Sequence, residues 1–277
     1  MKTVKRAMAK RKLVTLLTDF GLDGPYVAAM KGALLSSCAD AEIVDISHDI
    51  PAQDVLSASL VLAQAAPWFP PQTLNVVVVD PTVGTDRPLL YAHFGGRRFL
   101  FPDNGVITFV AASMPLEVVR LCVNSEYVPS SPPSNTFHGR DVFAPVAGRL
   151  LNGLDPRLLG PTPQTYKLLE VPTPREERDG IVGQVLYVDH FGNLVSNISA
   201  DMIHRRWGDR DDMLVSCAGR QIGAMVPSYA VAGQGEVLAL INSMGLLEVA
   251  VNQGSAREAL DAGVGSEVRI SRAKAVH

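Results

Sequence analysis

Asp80 closes the run Asn75-Val76-Val77-Val78-Val79-Asp80-Pro81, and Arg87 follows a short loop later. Four consecutive β-branched residues predict a strand buried on both faces, as in parallel sheets. The proline cannot continue the ladder, so the carboxylate is delivered to the strand's carboxyl end, where open α/β sheets place ligands. Thr18-Asp19-Phe20-Gly21 repeats that grammar. An aspartate there can accept from ribose hydroxyls, or it can simply cap the next helix. His138, in Asn135-Thr136-Phe137-His138-Gly139-Arg140-Asp141, immediately precedes an expected helix. The positive end of a helix disfavours imidazolium, and a neutral imidazole can accept a proton. A satisfied structural histidine is the plain alternative.

Two further polar corners stand in the second half. Asp189-His190-Phe191-Gly192-Asn193 reads as a tight turn between strands. An aromatic and an amide exposed at its tip suit a flat heterocycle, by stacking and edge hydrogen bonds. Ordinary Gly/Asn turn chemistry is the competing explanation. Asn242-Ser243-Met244-Gly245 is similar, with Glu248 inside the apolar strand that follows. That carboxylate either faces solvent or holds a ligand.

The elements that must carry these residues alternate in the first half. Strands are expected over 12–18, 42–46, 74–80, 89–94, 98–101 and 117–123, with a hairpin at Gly95-Gly96. Helices are expected over 25–36, 55–66, 106–112 and 141–151. Such alternation implies a mainly parallel sheet covered by helices. Residues 155–180 hold five prolines and the cluster Arg175-Glu176-Glu177-Arg178-Asp179, a linker pattern. Short, closely spaced strands follow, from Ile181 to Ile270, as in a small barrel or sandwich. The expected organisation is a basic tail over 1–12, an α/β domain over 13–160, a linker over 161–180 and a β-barrel domain over 181–272.

Composition narrows the classes. The chain has 277 residues, 47% hydrophobic and 19% charged, with a net charge of -3. That balance argues against nucleic acid, and no apolar run reaches the roughly 20 residues a membrane span needs. The basic start lacks the apolar segment of a signal peptide. Cys38, Cys122 and Cys217 are far apart and not in metal spacing, consistent with free thiols in a reducing cytoplasm. P-loop, G-x-G-x-x-G, G-x-S-x-G and H-E-x-x-H patterns are absent.

Taken in order, the motifs resemble the S-adenosyl-L-methionine hydrolase (adenosine-forming) family, also called SAM hydroxide adenosyltransferase, homologous to the fluorinase and chlorinase. The resemblance spans about Leu13 to Ile270. It rests on Thr18 to Gly21, Val79-Asp80-Pro81 with Gly84 and Arg87, Pro102 to Gly105, Phe137 to Asp141, Asp189 to Asn193, and Asn242-Ser243 with Asn252. It implies a Rossmann-like α/β domain, a β-barrel domain, and a homotrimer with sites at subunit interfaces. Asp80, Arg87 and His138 match the hydroxide-generating triad. Asp19 would bind the ribose. Asn193, Ser243, Glu248 and the backbone at Val251 would hold the adenosine, with Phe191 against the purine.

The halogenases carry Tyr in place of Asp80 and Tyr-Ser in place of His138-Gly139, with a long insertion where this chain has only the Gly95-Gly96 hairpin. The missing serine removes a halide ligand, and an anionic Asp80 would repel a halide. Water is therefore the expected nucleophile, S-adenosyl-L-methionine the substrate, adenosine and L-methionine the products. No metal or other cofactor is implied. The water's base is open between Asp80 and His138. Two rivals stand beside this reading. One is a metal-dependent hydrolase with ligands among Asp19, Asp45, His48, Asp80 and His138. The other is a non-catalytic adenosine-binding trimer.

Overall fold

The computed structural model describes residues 11–122, 133–208 and 212–272. Most of the basic tail and most of the proline-rich loop 129–133 lie outside them. The chain divides into two compact units, Met1–Leu169 and Glu170–His277.

The first unit is a six-stranded sheet with helices on both faces. Its elements are β1 (Leu13–Thr18), α1 (Tyr26–Ser37), β2 (Glu42–Ser47), α2 (Val55–Ala65), β3 (Leu74–Val78), β4 (Leu89–Phe94), β5 (Arg97–Pro102), α3 (Thr108–Ser113), β6 (Leu116–Leu121) and α4 (Ala144–Leu151). The strand order is β2-β1-β3-β5-β4-β6. β2, β1, β3 and β5 run parallel, whereas β4 is antiparallel to both β5 and β6. The sheet is thus mainly parallel, as expected, with β4 alone running against the other strands. The Gly95-Gly96 hairpin is the cause, because a tight turn folds β5 back against β4.

Every residue of β3 is buried, and its alternation serves both faces. Val76 and Val78 pack with Met30, Leu34 and Leu150 below α1 and α4. Val77 and Val79 pack with Ala58, Leu62 and Phe99 on the side of α2 and α3. Inside this aliphatic core, Thr15 Oγ1 donates to Asn75 Oδ1 at 2.8 Å, and Asn75 Nδ2 donates to the Arg98 carbonyl. A buried polar pair satisfied in one register only pins β1 against β3 and β5. The chain leaves β1 for β2 on one side and returns to β3 on the other. Their carboxyl ends are therefore a topological switch point, the usual crevice for a ligand.

Among its described residues, the second unit is all-β apart from two short α-helices and a 3-10 turn at Tyr229–Val231. Its elements are β7 (Arg175–Glu177), β8 (Gly180–Val188), β9 (Leu194–Ser199), α5 (Ala200–Trp207), β10 (Met213–Cys217), β11 (Arg220–Ala224), β12 (Val237–Ile241), β13 (Leu246–Val251), α6 (Ala256–Leu260) and β14 (Glu267–Arg272). The antiparallel order is β11-β10-β14-β8-β9-β13-β12, with β7 on β8. Past β11, Val226 N donates to the Ala239 carbonyl of β12 at 2.8 Å, which nearly closes the sheet into a barrel. Both helices start on serine caps: Ser199 accepts from Met202 N and Ser255 from Glu258 N. β7 falls within the stretch read as a linker, and Lys167 N, in the same stretch, is bonded to Asp103.

Candidate functional site

β1 and β3 are adjacent and in register, Thr18 beside Val78. One residue past Thr18 and two past Val78, the strands deliver Asp19 and Asp80 to the same edge. Asn104 Nδ2 donates to the Val79 carbonyl at 2.8 Å, so the Pro102–Gly105 motif anchors the strand end that carries Asp80. Beyond Pro81 the chain turns back, and Thr82 donates from N and Oγ1 to Asp80 Oδ1 at 3.2 and 3.0 Å. Arg87 closes the loop, its Nε and a terminal nitrogen each 2.5 Å from Asp80 Oδ2. The pair is desolvated: the side chains of Arg87 and Asp80 are 6% and 3% exposed.

The same guanidinium reaches 2.8 Å to His138 Nδ1. This contact needs Gly84, which has φ +82°, and a Cβ there would lie 2.4 Å from the Asn135 carbonyl. Only glycine lets the Asp80–Arg87 loop press against the segment bearing His138. That segment is itself braced: Ser134 N donates to Asp141 Oδ2 and Phe137 N to Ser134 Oγ. Arg140 holds the Asp141 carboxyl down at about 2. His138 stands at the head of a π-helical turn, Gly139–Phe143, that runs into α4. Such turns concentrate at functional sites.

Burial and the neighbouring Arg87 charge push the His138 pKa down. Arg87 can only donate, so Nδ1 must accept, and the neutral ring keeps its proton on Nε2. Asp80, Arg87 and His138 thus form one continuous chain of hydrogen bonds. Asp19, on the neighbouring strand end, accepts from Gln53 N through Oδ2 at 2.8 Å.

The second unit carries its own cavity, of about 380 Å³, lined by Asp189, Phe191, Asn193, Tyr229, Val251 and Gly254 among others. Asp189 organises the hairpin tip, accepting from Phe191 N and Asn193 N and, through Oδ2, from Asn193 Nδ2, each at 2.9 Å. Gly192 has φ +81°, and a Cβ would collide with Ser255 at 2.2 Å. The tip therefore presents the Phe191 ring, 73% exposed.

Ser243 and Glu248 do not line this cavity. Ser243 is exposed at its turn. Glu248 is buried, and its oxygens receive Tyr229 Oη at 2.6 Å and Asn242 Nδ2 at 3.1 Å. Burial raises the Glu248 pKa, and burial together with Glu248 raises that of Tyr229. Tyr229 escaped the sequence reading. Its only signal was a solitary aromatic in the Pro-, Ser- and Gly-rich stretch between β11 and β12.

Among the described residues, no group of three or more His, Cys, Asp or Glu side chains is gathered as a ligand set. Of the five residues considered as metal ligands, Asp45 and His48 face each other, while the Arg87 cation sits between Asp80 and His138. No described helix is long and apolar enough to cross a membrane.

Comparison with known proteins places these units. Residues 14–160 match the SAM hydroxide adenosyltransferase N-terminal domain model, and residues 183–269 match the C-terminal domain model. The chain is 36% identical to the (R)-S-adenosyl-L-methionine hydrolase of Thermus thermophilus over 263 residues, 93% of this chain and 98% of that protein. A crystal structure of an uncharacterized conserved protein from Thermotoga maritima superposes with a TM-score of 0.87 at 37% identity, covering 94% of this chain and 100% of that one. The fluorinase of Actinopolyspora mzabensis is more distant, 23% identical over 95% of this chain and 98% of its own.

Proposed function

The chain belongs to the SAM hydroxide adenosyltransferase family, and from that premise we propose that it hydrolyses S-adenosyl-L-methionine to adenosine and L-methionine. The observation that carries the reading is the desolvated Asp80–Arg87–His138 chain on the strand end beside Asp19.

Water attacks the ribose 5′ carbon in line with the carbon–sulfur bond. The bond's electron pair returns to sulfur, which leaves as the neutral thioether of methionine. The positive charge is already on the leaving group, so neither an acid nor a Lewis acid is required. Positioning of water and sulfonium can supply about 7–11 kcal/mol of the barrier. His138 orients the water by donating from Nε2. Asp80, held by Arg87 and Thr82, is the anion toward which the released proton moves. Asp19 accepts from the ribose hydroxyls, and the Phe191–Asn193–Val251 cavity takes the adenine, with Tyr229 as its second aromatic wall. We place Ser243 at the same end and give Glu248 the task of holding Tyr229.

The two half-sites belong to different units, and in our reading a homotrimer joins them across subunits. Cys38 and Cys217 are buried free thiols, which supports a reducing, cytoplasmic setting.

The deciding experiment incubates the protein with S-adenosylmethionine and excess chelator and identifies the products. Adenosine and methionine in equimolar amounts are expected. Activity that vanishes with chelator and returns with a divalent ion would favour the metal-dependent rival. Adenosine binding without turnover would favour a binding trimer.

Asp19→Ala is expected to act on affinity. A bond to a charged acceptor is worth about 1.5–3 kcal/mol, so losing one weakens adenosine and S-adenosylmethionine binding roughly tenfold to a hundredfold. Calorimetric titration with adenosine checks this, and unchanged affinity would remove Asp19 from the ribose site.

A further inference from the structure

We propose that His48 is a positioning residue: it locks the Thr18 hydroxyl that shapes the turn aiming Asp19. The inference rests on the assignment of Asp19 to the ribose and adds a residue that the hydrolytic chain does not use. His48 is buried, at 4% exposure, and Thr18 is fully buried. His48 Nδ1 lies 2.8 Å from Thr18 Oγ1. On its other side, Nε2 lies 3.1 Å from Asp45 Oδ1, without the alignment of a full hydrogen bond. Asp45 Oδ2 is held at 2.5 Å by Lys31 Nζ.

This arrangement has one consistent direction. The Asp45 carboxylate cannot donate, so the imidazole nitrogen facing it carries the proton. In the neutral ring Nδ1 is then an acceptor, and the Thr18 hydroxyl must donate to it. The lone pairs of that hydroxyl turn toward Phe20 N, which donates to Thr18 Oγ1 at 3.3 Å. Asp19 is the residue enclosed by this turn. A hydroxyl free to rotate would hold the turn loosely, whereas one committed to His48 holds it in a single shape.

The loop after β2 grips the same turn twice more. The His48 carbonyl accepts from Gly21 N at 2.8 Å, and Gln53 N donates to Asp19 Oδ2 at 2.8 Å. Gln53 holds φ +66°, a backbone region uncommon for a residue other than glycine. Asp19 Oδ1 accepts no hydrogen bond among the described residues, and it is the oxygen left for a ligand. A histidine that merely filled the core would lower stability on removal and leave affinity alone.

The test compares His48→Ala, His48→Asn and Thr18→Val by steady-state kinetics, calorimetric titration with adenosine and thermal unfolding. Loss of one aligning hydrogen bond is expected to raise KM and adenosine Kd roughly five- to tenfold in His48→Ala, with kcat falling less than threefold. His48→Asn keeps an acceptor near the Nδ1 position and should recover most of that affinity. Thr18→Val keeps the shape, removes the hydroxyl, and carries the test if His48→Ala does not fold. It should match His48→Ala, and the double variant should be no weaker than either, because both cut one linkage. Folded variants with unchanged KM and adenosine Kd, or with kcat reduced at constant KM, would overturn the positioning role while leaving Asp19 in place. An unsubstituted protein that neither binds adenosine nor turns over S-adenosylmethionine would overturn both assignments.

Discussion

Asp80→Asn is expected to lower kcat for S-adenosylmethionine hydrolysis about a thousandfold, the scale of a lost acid–base group. Adenosine affinity should stay within about threefold, because the substitution is isosteric and removes a group assigned to the chemistry of the water. The size follows from burial. Asp80 and Arg87 are almost completely desolvated, so neutralising one leaves the other's charge without its partner in a low dielectric. Arg87→Ala should be as severe, since it removes the clamp on Asp80 and the donor to His138 together. His138 offers a finer test. If the ring acts by donating from Nε2, His138→Gln keeps an amide donor near that position and should retain more activity than His138→Ala. Equal and complete loss in both would make the ring itself the base. Three folded variants with near-normal turnover would end the triad assignment.

The pH profile belongs to the same argument. The His138 pKa is pushed down by burial and by Arg87. In our reading the active form has a neutral ring, since a proton on Nδ1 would displace the Arg87 bond. Activity should therefore hold as pH falls through the ordinary histidine range near about 6.5 and decline only below it. An acid limb centred above that value would contradict the neutral-ring form.

The parts legible in the sequence were those with a local signature. Four β-branched residues before Asp80 announce a buried strand and its polar end, and the same pattern exposes Asp19. The Asp189–Asn193 turn is readable because Asp, Gly and Asn each have a stated backbone use. What stayed hidden depends on distant partners. Gly84 marks a turn in the sequence, yet its real constraint is the Asn135 carbonyl, which no local pattern reveals. Glu248 reads as a strand residue of uncertain face. Its burial is decided by Tyr229, 19 positions away, which satisfies the carboxylate. The π-helical turn after His138 leaves no mark, because Gly139 to Phe143 suits an ordinary helix start as well. The antiparallel placement of β4 follows from the Gly95-Gly96 hairpin, which the sequence shows, beside strands that run parallel as expected.

The second large effect is a recovery of activity between two dead proteins. Asp80→Ala destroys the half-site of the first unit, and a variant lacking both Phe191 and Asn193 side chains (Phe191→Ala with Asn193→Ala) destroys that of the second. Each alone should be inactive. If every site joins the first unit of one subunit to the second unit of its neighbour, random mixed trimers contain sites built from the intact half of each chain. At equal input, about one site in four is intact, because each half is drawn independently from a half-and-half pool. Mixing after mild dissociation and reassembly should therefore raise activity from background to roughly a quarter of that of the unsubstituted protein. Sites completed within one chain would give no recovery at any ratio, since every chain carries one broken half. Subunit exchange is verified independently by mass spectrometry of differently tagged chains. No recovery despite proven exchange, or a fully active monomer by sedimentation, would refute the shared-site trimer. The dependence on mixing ratio sharpens the test: intact sites scale with the product of the two fractions, so the recovery must peak at equal input and fall symmetrically on either side.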